Sequence, residues 1–399
     1  MSRTPLTKVI ALAAAVLTLS ACAARNDSGT GAEGTTSSAE APKQAANAAD
    51  PAGNGQAQCS GVSLAYAGTI SGGSAALGQN IFNAVDLAIK QHNTANPGCQ
   101  VGFKKFDTEG KPDKAPGIVS QVVSEADIIG VVGLPFSGES KATGGLFEQA
   151  GLVHPTIATN PNLTANGWKT FFRGMGNDNV QGPAAAKFIT ENLKAAKVCV
   201  VQDDSEYGTA LAASVTSTLG TKASCTDKVK TGQTDFSAVV NKILTEKPDA
   251  IFYSGYYPEA GPFAQQLADK GITAKFVAPD AVKDAEFLKS AGSAAANAYF
   301  TCPCVPEENF TSFTTSYKAA YGIEPGTYSP EGYDMATILL AGIDKGAKDR
   351  AALLNFVKTY NGQGLTKKFA WDDKGELSET PVWSYKVQNG KIVNNGQIS

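Results

Sequence analysis

The sequence predicts an α/β fold of two similar lobes, each a parallel sheet flanked by helices. Two observations carry this. From Gly61 onward, short apolar runs alternate with stretches of helical periodicity, the pattern of strand-helix-strand units. The alternation also comes as two series, with the second beginning after Arg173. The 399 residues, 42% hydrophobic and 18% charged, have the composition of a globular chain long enough for more than one core.

Residues 1–21 read as an export signal. Basic Arg3 and Lys8 frame the start of an apolar run, Val9 to Leu19, that is too short to span a membrane. The run closes on Leu19-Ser20-Ala21-Cys22, which resembles the lipobox of bacterial lipoproteins, where the cysteine is lipidated and becomes the first mature residue. An ordinary secretory signal is the alternative. Either way the mature chain works outside the cytosol, and the lipidation reading anchors it to the cell membrane through Cys22. Of 34 basic and 37 acidic side chains, cleavage removes Arg3 and Lys8, leaving a formal charge of −5. That is no footprint for nucleic acid. Residues 22–58, rich in Ala, Gly, Ser, Thr and Asn, are expected to form a flexible tether with a reach of roughly 30 to 36 Å.

In the first series, Leu64–Ala67, Phe103–Phe106, Ile128–Val132 and Val153–Thr156 read as strands. Ile81, Val85 and Ile89, spaced by four, mark one face of a helix between the first two. In the second series, strands are expected at Val198–Val201, Lys228–Lys230, Ile251–Tyr253 and Phe276–Ala278. Phe236, Val239, Val240, Ile243 and Leu244 fit an amphipathic helix among them. Six cysteines besides Cys22 lie in an oxidising compartment, so disulfides are the default. Fifteen pairings are possible; the neighbouring-strand relation suggests Cys59 with Cys99 and Cys199 with Cys225. Cys302-Pro303-Cys304 is left as either a bond or a reducible pair.

The chemistry of catalysis is sparse. There is no Walker loop, and Gly174-Met175-Gly176 lacks the third glycine of a dinucleotide fingerprint. Of the two histidines, His92 is expected to cap a helix end, and His154 to be a satisfied core residue. No metal site, cofactor or enzymatic centre is called for. Polar and aromatic residues do gather where strands run into helices, the position at which open α/β sheets meet ligands: Ser137, Ala158-Thr159-Asn160-Pro161, Tyr207-Gly208, Tyr256-Tyr257-Pro258-Glu259 and Asp280. Taken singly, each could be a cap or a packing residue.

Across these residues, from about Gly61 to Asp373, the chain resembles the periplasmic leucine, isoleucine and valine binding proteins of branched-chain amino-acid ABC transporters. The stretches that carry the resemblance are Ala158-Thr159-Asn160-Pro161-Asn162-Leu163-Thr164, Gln181-Gly182-Pro183, Asp235-Phe236-Ser237-Ala238 and Gly255-Tyr256-Tyr257-Pro258-Glu259. It implies a two-lobed periplasmic binding protein fold of type I, a clamshell closing on its ligand. Lobe 1 would comprise 59–176 and 304–366, and lobe 2 would comprise 177–303 and 367–399. Three crossovers are expected near 173–179, 301–307 and 363–370.

The resemblance also implies roles. Ser137 and Thr159 would take a ligand carboxylate. Ala158 would offer its carbonyl to the ammonium, Tyr207 and Tyr256 would close from lobe 2, and Asp280 would supply the counter-charge. Three positions depart from the family pattern: Asp280 stands where glutamate is usual, Leu77 where a large aromatic is usual, and Phe136 where a cysteine is usual. Leu77 and Phe136 are therefore expected to reshape the ligand pocket. The function implied is capture of a small, aliphatic amino acid and delivery to ABC permease subunits by a monomer, without enzymatic turnover. Alternatives are a binder of amides, urea or other polar amino acids, a ligand-sensing ectodomain, and an extracytoplasmic hydrolase.

Overall fold

Strand β1 (Ser63–Gly68) is buried along its whole length, as a strand covered on both faces must be, so it reads as a continuous apolar run. In the computed structural model, which describes residues 45–378 and 380–398, β1 opens a series of strand-helix units. It is followed by α1 (Ala75–Ala95), β2 (Gly102–Asp107), α2 (Ala115–Ser124), β3 (Ile128–Gly133), α3 (Ser137–Ala150), β4 (His154–Thr156) and β5 (Phe171–Arg173). The strand order is β2-β1-β3, all parallel. A bridge from Gly130 to Val153 brings β4 alongside β3, and β5 pairs parallel with β4.

The second series runs α4 (Asp178–Lys187), β6 (Val198–Gln202), α5 (Glu206–Leu219), β7 (Ala223–Lys228), α6 (Ser237–Glu246), β8 (Ala250–Ser254), α7 (Tyr257–Asp269), β9 (Lys275–Pro279), α8 (Ala285–Ala291) and β10 (Ala298–Cys302). The chain then returns to the first lobe with α9 (Thr311–Tyr321), α10 (Ser329–Asp344) and α11 (Arg350–Lys358). After a small hairpin, β11 (Asn361–Gln363) with β12 (Lys368–Ala370), it ends in the second lobe with β13 (Val382–Gln388) and β14 (Lys391–Ile398). The second sheet has the order β14-β13-β10-β9-β8-β6-β7. Its last two strands are antiparallel, so an otherwise parallel sheet becomes mixed.

Both lobes therefore share one winding, β2-β1-β3 in the first and β7-β6-β8 in the second. In each, the order reverses beside the central strand, and the loops leaving the two strands at that point diverge to leave a crevice. The β1/β3 and β6/β8 crevices are where the site residues gather.

Several expectations shift. The strand expected at Lys228–Lys230 lies earlier, at β7, whose alternating exposure is that of an edge strand with a weak apolar signal. The third crossover runs through 371–381, later than 363–370, because β12 still pairs with β11 before the chain leaves for β13. The signal, Cys22 and the tether up to residue 44 lie outside the described residues. From Ala45 to Gln58 the chain does not behave as a tether: Ala49 N donates to the Gln363 carbonyl (2.7 Å), and Asn96 donates to the Ala52 carbonyl (3.0 Å) while accepting from Ala57 N (3.0 Å).

Disulfides join Cys59 to Cys99, Cys199 to Cys225 and Cys302 to Cys304. The first two link residues that face each other across parallel pairs. His154 is buried, its Nε2–H donates to the Gly133 carbonyl (3.1 Å), and its ring stacks on Phe147; burial lowers its pKa to about 4. His92 is not a simple cap. Its ring is buried, with Nε2 2.8 Å from Asp344 Oδ1 at the end of α10. Burial by itself would lower its pKa, but the contacts with Asp344 and Asn93 outweigh that and raise it.

Candidate functional site

Each predicted loop residue is delivered by the end of a strand. β3 ends at Gly133, and Phe136 and Ser137 follow at the start of α3. Thr159 follows β4, Tyr207 follows β6, Tyr256 follows β8, and Asp280 follows β9 directly. The structure brings Phe136, Ser137, Thr159, Tyr207, Tyr256 and Asp280 together around one narrow cavity. Pro135, Ile157, Ala281 and Tyr328 complete its wall. Its mouth is closed by contacts between the lobes. Phe136 packs on Tyr256 with ring centroids 4.7 Å apart, Asn160 donates to the Glu206 carbonyl (3.0 Å), and Lys141 pairs with Glu206 (2.6 Å).

Two predicted residues are not at the cavity. Leu77 is fully buried in the core beneath α1, because its position on the helix faces the sheet rather than the cleft. Ala158 turns its carbonyl to the Arg173 guanidinium. That guanidinium is buried, also donates to the Asn160 carbonyl (3.1 Å), and forms a two-pronged pair with Glu376 at 2.9 Å on each arm. A guanidinium so placed needs acceptors on every arm, and Ala158 supplies one.

The cavity is polar at two ends of opposite character. At one end, Ser137 Oγ accepts from Asn160 N (3.2 Å), which leaves its own proton to donate. The first amides of α3 beside it have no partner within the helix. At the other end, Asp280 is fully buried and accepts from Tyr207 Oη (2.7 Å), Gln181 Nε2 (2.6 Å) and Tyr328 Oη. Burial raises its pKa, while the bonds from Tyr328, Tyr207 and Gln181 pull it back down. Gln181 also donates to the Thr301 carbonyl (2.8 Å), tying the carboxylate to β10. Asp178, at the start of α4, is buried close by. Burial raises it to about 7, opposed by the Thr159 hydroxyl and Arg173 and reinforced by Asp280.

Tyr328, Gln181 and Asp178 were not among the predicted ligand residues. Gln181 stood within a recognised stretch. Tyr328 follows no strand, and only Gly326-Thr327 before a helical run marks a turn there. The arrangement can hold a small molecule with an acid group at one end and a cation at the other.

The periplasmic binding protein family matches residues 61–391. The leucine-, isoleucine-, valine-, threonine- and alanine-binding protein of Pseudomonas aeruginosa is 28% identical over 334 residues, covering 82% of this chain and 89% of that protein. Among solved structures, the branched-chain amino acid transporter substrate binding protein of Streptococcus pneumoniae, in complex with isoleucine, superposes with a TM-score of 0.77 at 26% identity, covering 84% of this chain and 99% of that one. A leucine binding protein of Thermotoga maritima gives the same TM-score of 0.77 at 27% identity, over 85% and 99% of the two chains. With two like-wound lobes, three crossovers and a closed cavity between them, this chain belongs to the periplasmic binding protein family.

Proposed function

We propose that this chain captures a small aliphatic amino acid of the branched-chain type outside the cytosol and delivers it to the permease of an ABC transporter. The observation that carries the reading is the cavity's polarity. Donors from Ser137 and the α3 amino end face acceptors around Asp280 across a space bounded by Ile157, Pro135 and aromatic rings. A buried zwitterion needs both sets, or it bears the cost of lost hydration. The relatives named for leucine, isoleucine and valine support the same class. Ser137 and Thr159 hold the carboxylate, Asp280 faces the ammonium, and Tyr207, Tyr256 and Phe136 enclose the side chain. Closure of the lobes is the signal the permease reads, since only the closed form touches ligand from both sides. Lipidation at Cys22 keeps the protein at the membrane, where its transporter sits. The chain works as a monomer and does no covalent chemistry.

Titration calorimetry of the full-length protein against leucine, isoleucine, valine and a set of short amides and urea tests this reading. Saturable heat with at least one of the three aliphatic amino acids and none with urea or amides is expected. Binding confined to amides or urea would replace the ligand class, and turnover of the ligand during incubation would replace the role.

A further inference from the structure

Tyr328 is the one aromatic wall of the cavity that comes from the start of α10, and it sits there with φ +74°. That left-handed backbone is unusual for a bulky side chain. It is held by a tight turn in which Ser329 N donates to the Gly326 carbonyl (3.0 Å), Gly326 N donates to Ser329 Oγ (3.1 Å), and Thr327 Oγ1 donates to the Lys283 carbonyl. The turn aims the phenol at Asp280, on the other lobe.

The hydrogen-bond count at Asp280 then constrains what the cavity offers. Oδ1 accepts from Tyr207 and Gln181, and Oδ2 accepts from Tyr328. A carboxylate has about four acceptor positions, so roughly one remains, on Oδ2. Both phenols have committed their single proton to Asp280, and their pKa is pushed well above the ordinary range by burial and by Asp280 itself. They stay protonated, and the only faces they can turn to a ligand are lone pairs. The Ala158 carbonyl, which the family pattern would add to this end, is occupied by Arg173 and does not border the cavity.

Resting on the ligand class proposed above, we infer that the Tyr328 hydroxyl is a specificity-determining acceptor for one N–H of the ligand's ammonium, standing in for the Ala158 carbonyl. With Asp280 Oδ2 and Tyr207 Oη it forms a cage of three acceptors for the three protons of a primary ammonium. The cage selects primary amines against N-alkylated ones, whose nitrogen carries fewer protons and a methyl group where an acceptor waits.

The test is Tyr328→Phe, which keeps the ring and removes the acceptor. Leucine, isoleucine and valine are each titrated alongside their N-methyl derivatives into the full-length wild type and the variant, with thermal melting to confirm that the variant folds. Wild type is expected to prefer the primary amine. The variant should lose about tenfold in affinity for the primary amine, the loss expected for one hydrogen bond to a charged group, while affinity for the N-methyl derivative changes by less than about threefold or improves. Equal losses for both ligand forms, or no loss for either, would overturn the inference while leaving the amino-acid reading intact. A wild type that binds none of the three amino acids would overturn both. Should Tyr328→Phe melt markedly lower, Tyr207→Phe, which removes the second phenol acceptor, is read in its place with the same two expected outcomes.

Discussion

At the scale of single residues, the site's acidic side chains carry the sharpest consequences. Burial raises Asp178 to about 7, so in the folded chain it holds a proton that the unfolded chain has lost above about pH 4. Its contribution to stability is therefore present in full below the unfolded value and is lost as pH rises toward 7. Glu139, raised to about 7 by burial, acts in the same sense, whereas His154, lowered to about 4, acts in the opposite one between pH 4 and 6.5. Asp178→Asn removes one of these groups without changing its shape. Its melting temperature is expected to fall less between pH 5 and pH 8 than that of wild type, as followed by circular dichroism. An unchanged pH slope would mean that Asp178 ionises at its ordinary pKa. The predicted residues that follow strands, Ser137, Thr159, Tyr207, Tyr256 and Asp280, do gather around one cavity, because that position is set by local topology. Reading from sequence missed the capture of Ala158's carbonyl by Arg173, which depends on a guanidinium fifteen residues away finding it only once the chain has folded.

At the scale of elements, α1 shows how close approach is coded. Gly78 lies on α1 where a Cβ would run into the Thr69 backbone in the loop leaving β1. The missing side chain lets the helix press on that loop, in which Ile70 and Ser71 are held on Asp107. Gly78→Ala should destabilise the protein by roughly 1 to 3 kcal/mol, the range for overpacking, measured by urea unfolding with an unchanged m-value. The elements legible beforehand were the ones buried on both faces. β1, β3 and β8 are continuous apolar runs. β7 alternates with solvent, the buried start of β13 at Val382–Tyr385 is interrupted by Ser384, and β14 is polar and part-exposed, so their places depend on partners the sequence does not announce.

At the scale of the whole molecule, the first two crossovers meet at one buried ion pair. Lys367 Nζ lies 3.6 Å from Glu331 Oε1. Lys367 also donates to the Gly174 carbonyl in the first crossover (3.2 Å), and Glu331 accepts from Val305 N in the second (3.0 Å). Replacing only the lysine strands a buried carboxylate, so Lys367→Met should cost about 3 to 5 kcal/mol. Pairing it with Glu331→Gln should recover most of that, as read from chemical unfolding of both variants. The ion pair of Lys367 with Glu331 and the cavity around Asp280 are thus separate clusters.

The packed segment 45–58 gives this hinge a direction. Because it is stitched to α1 and to the first lobe's hairpin through Ala49, Ala52 and Ala57, a mechanical load arriving along the chain from its amino-terminal side is borne by the first lobe alone. That lobe is then the stator and the second lobe the rotor. A pull entering at Ala45 therefore does not pry the cleft open.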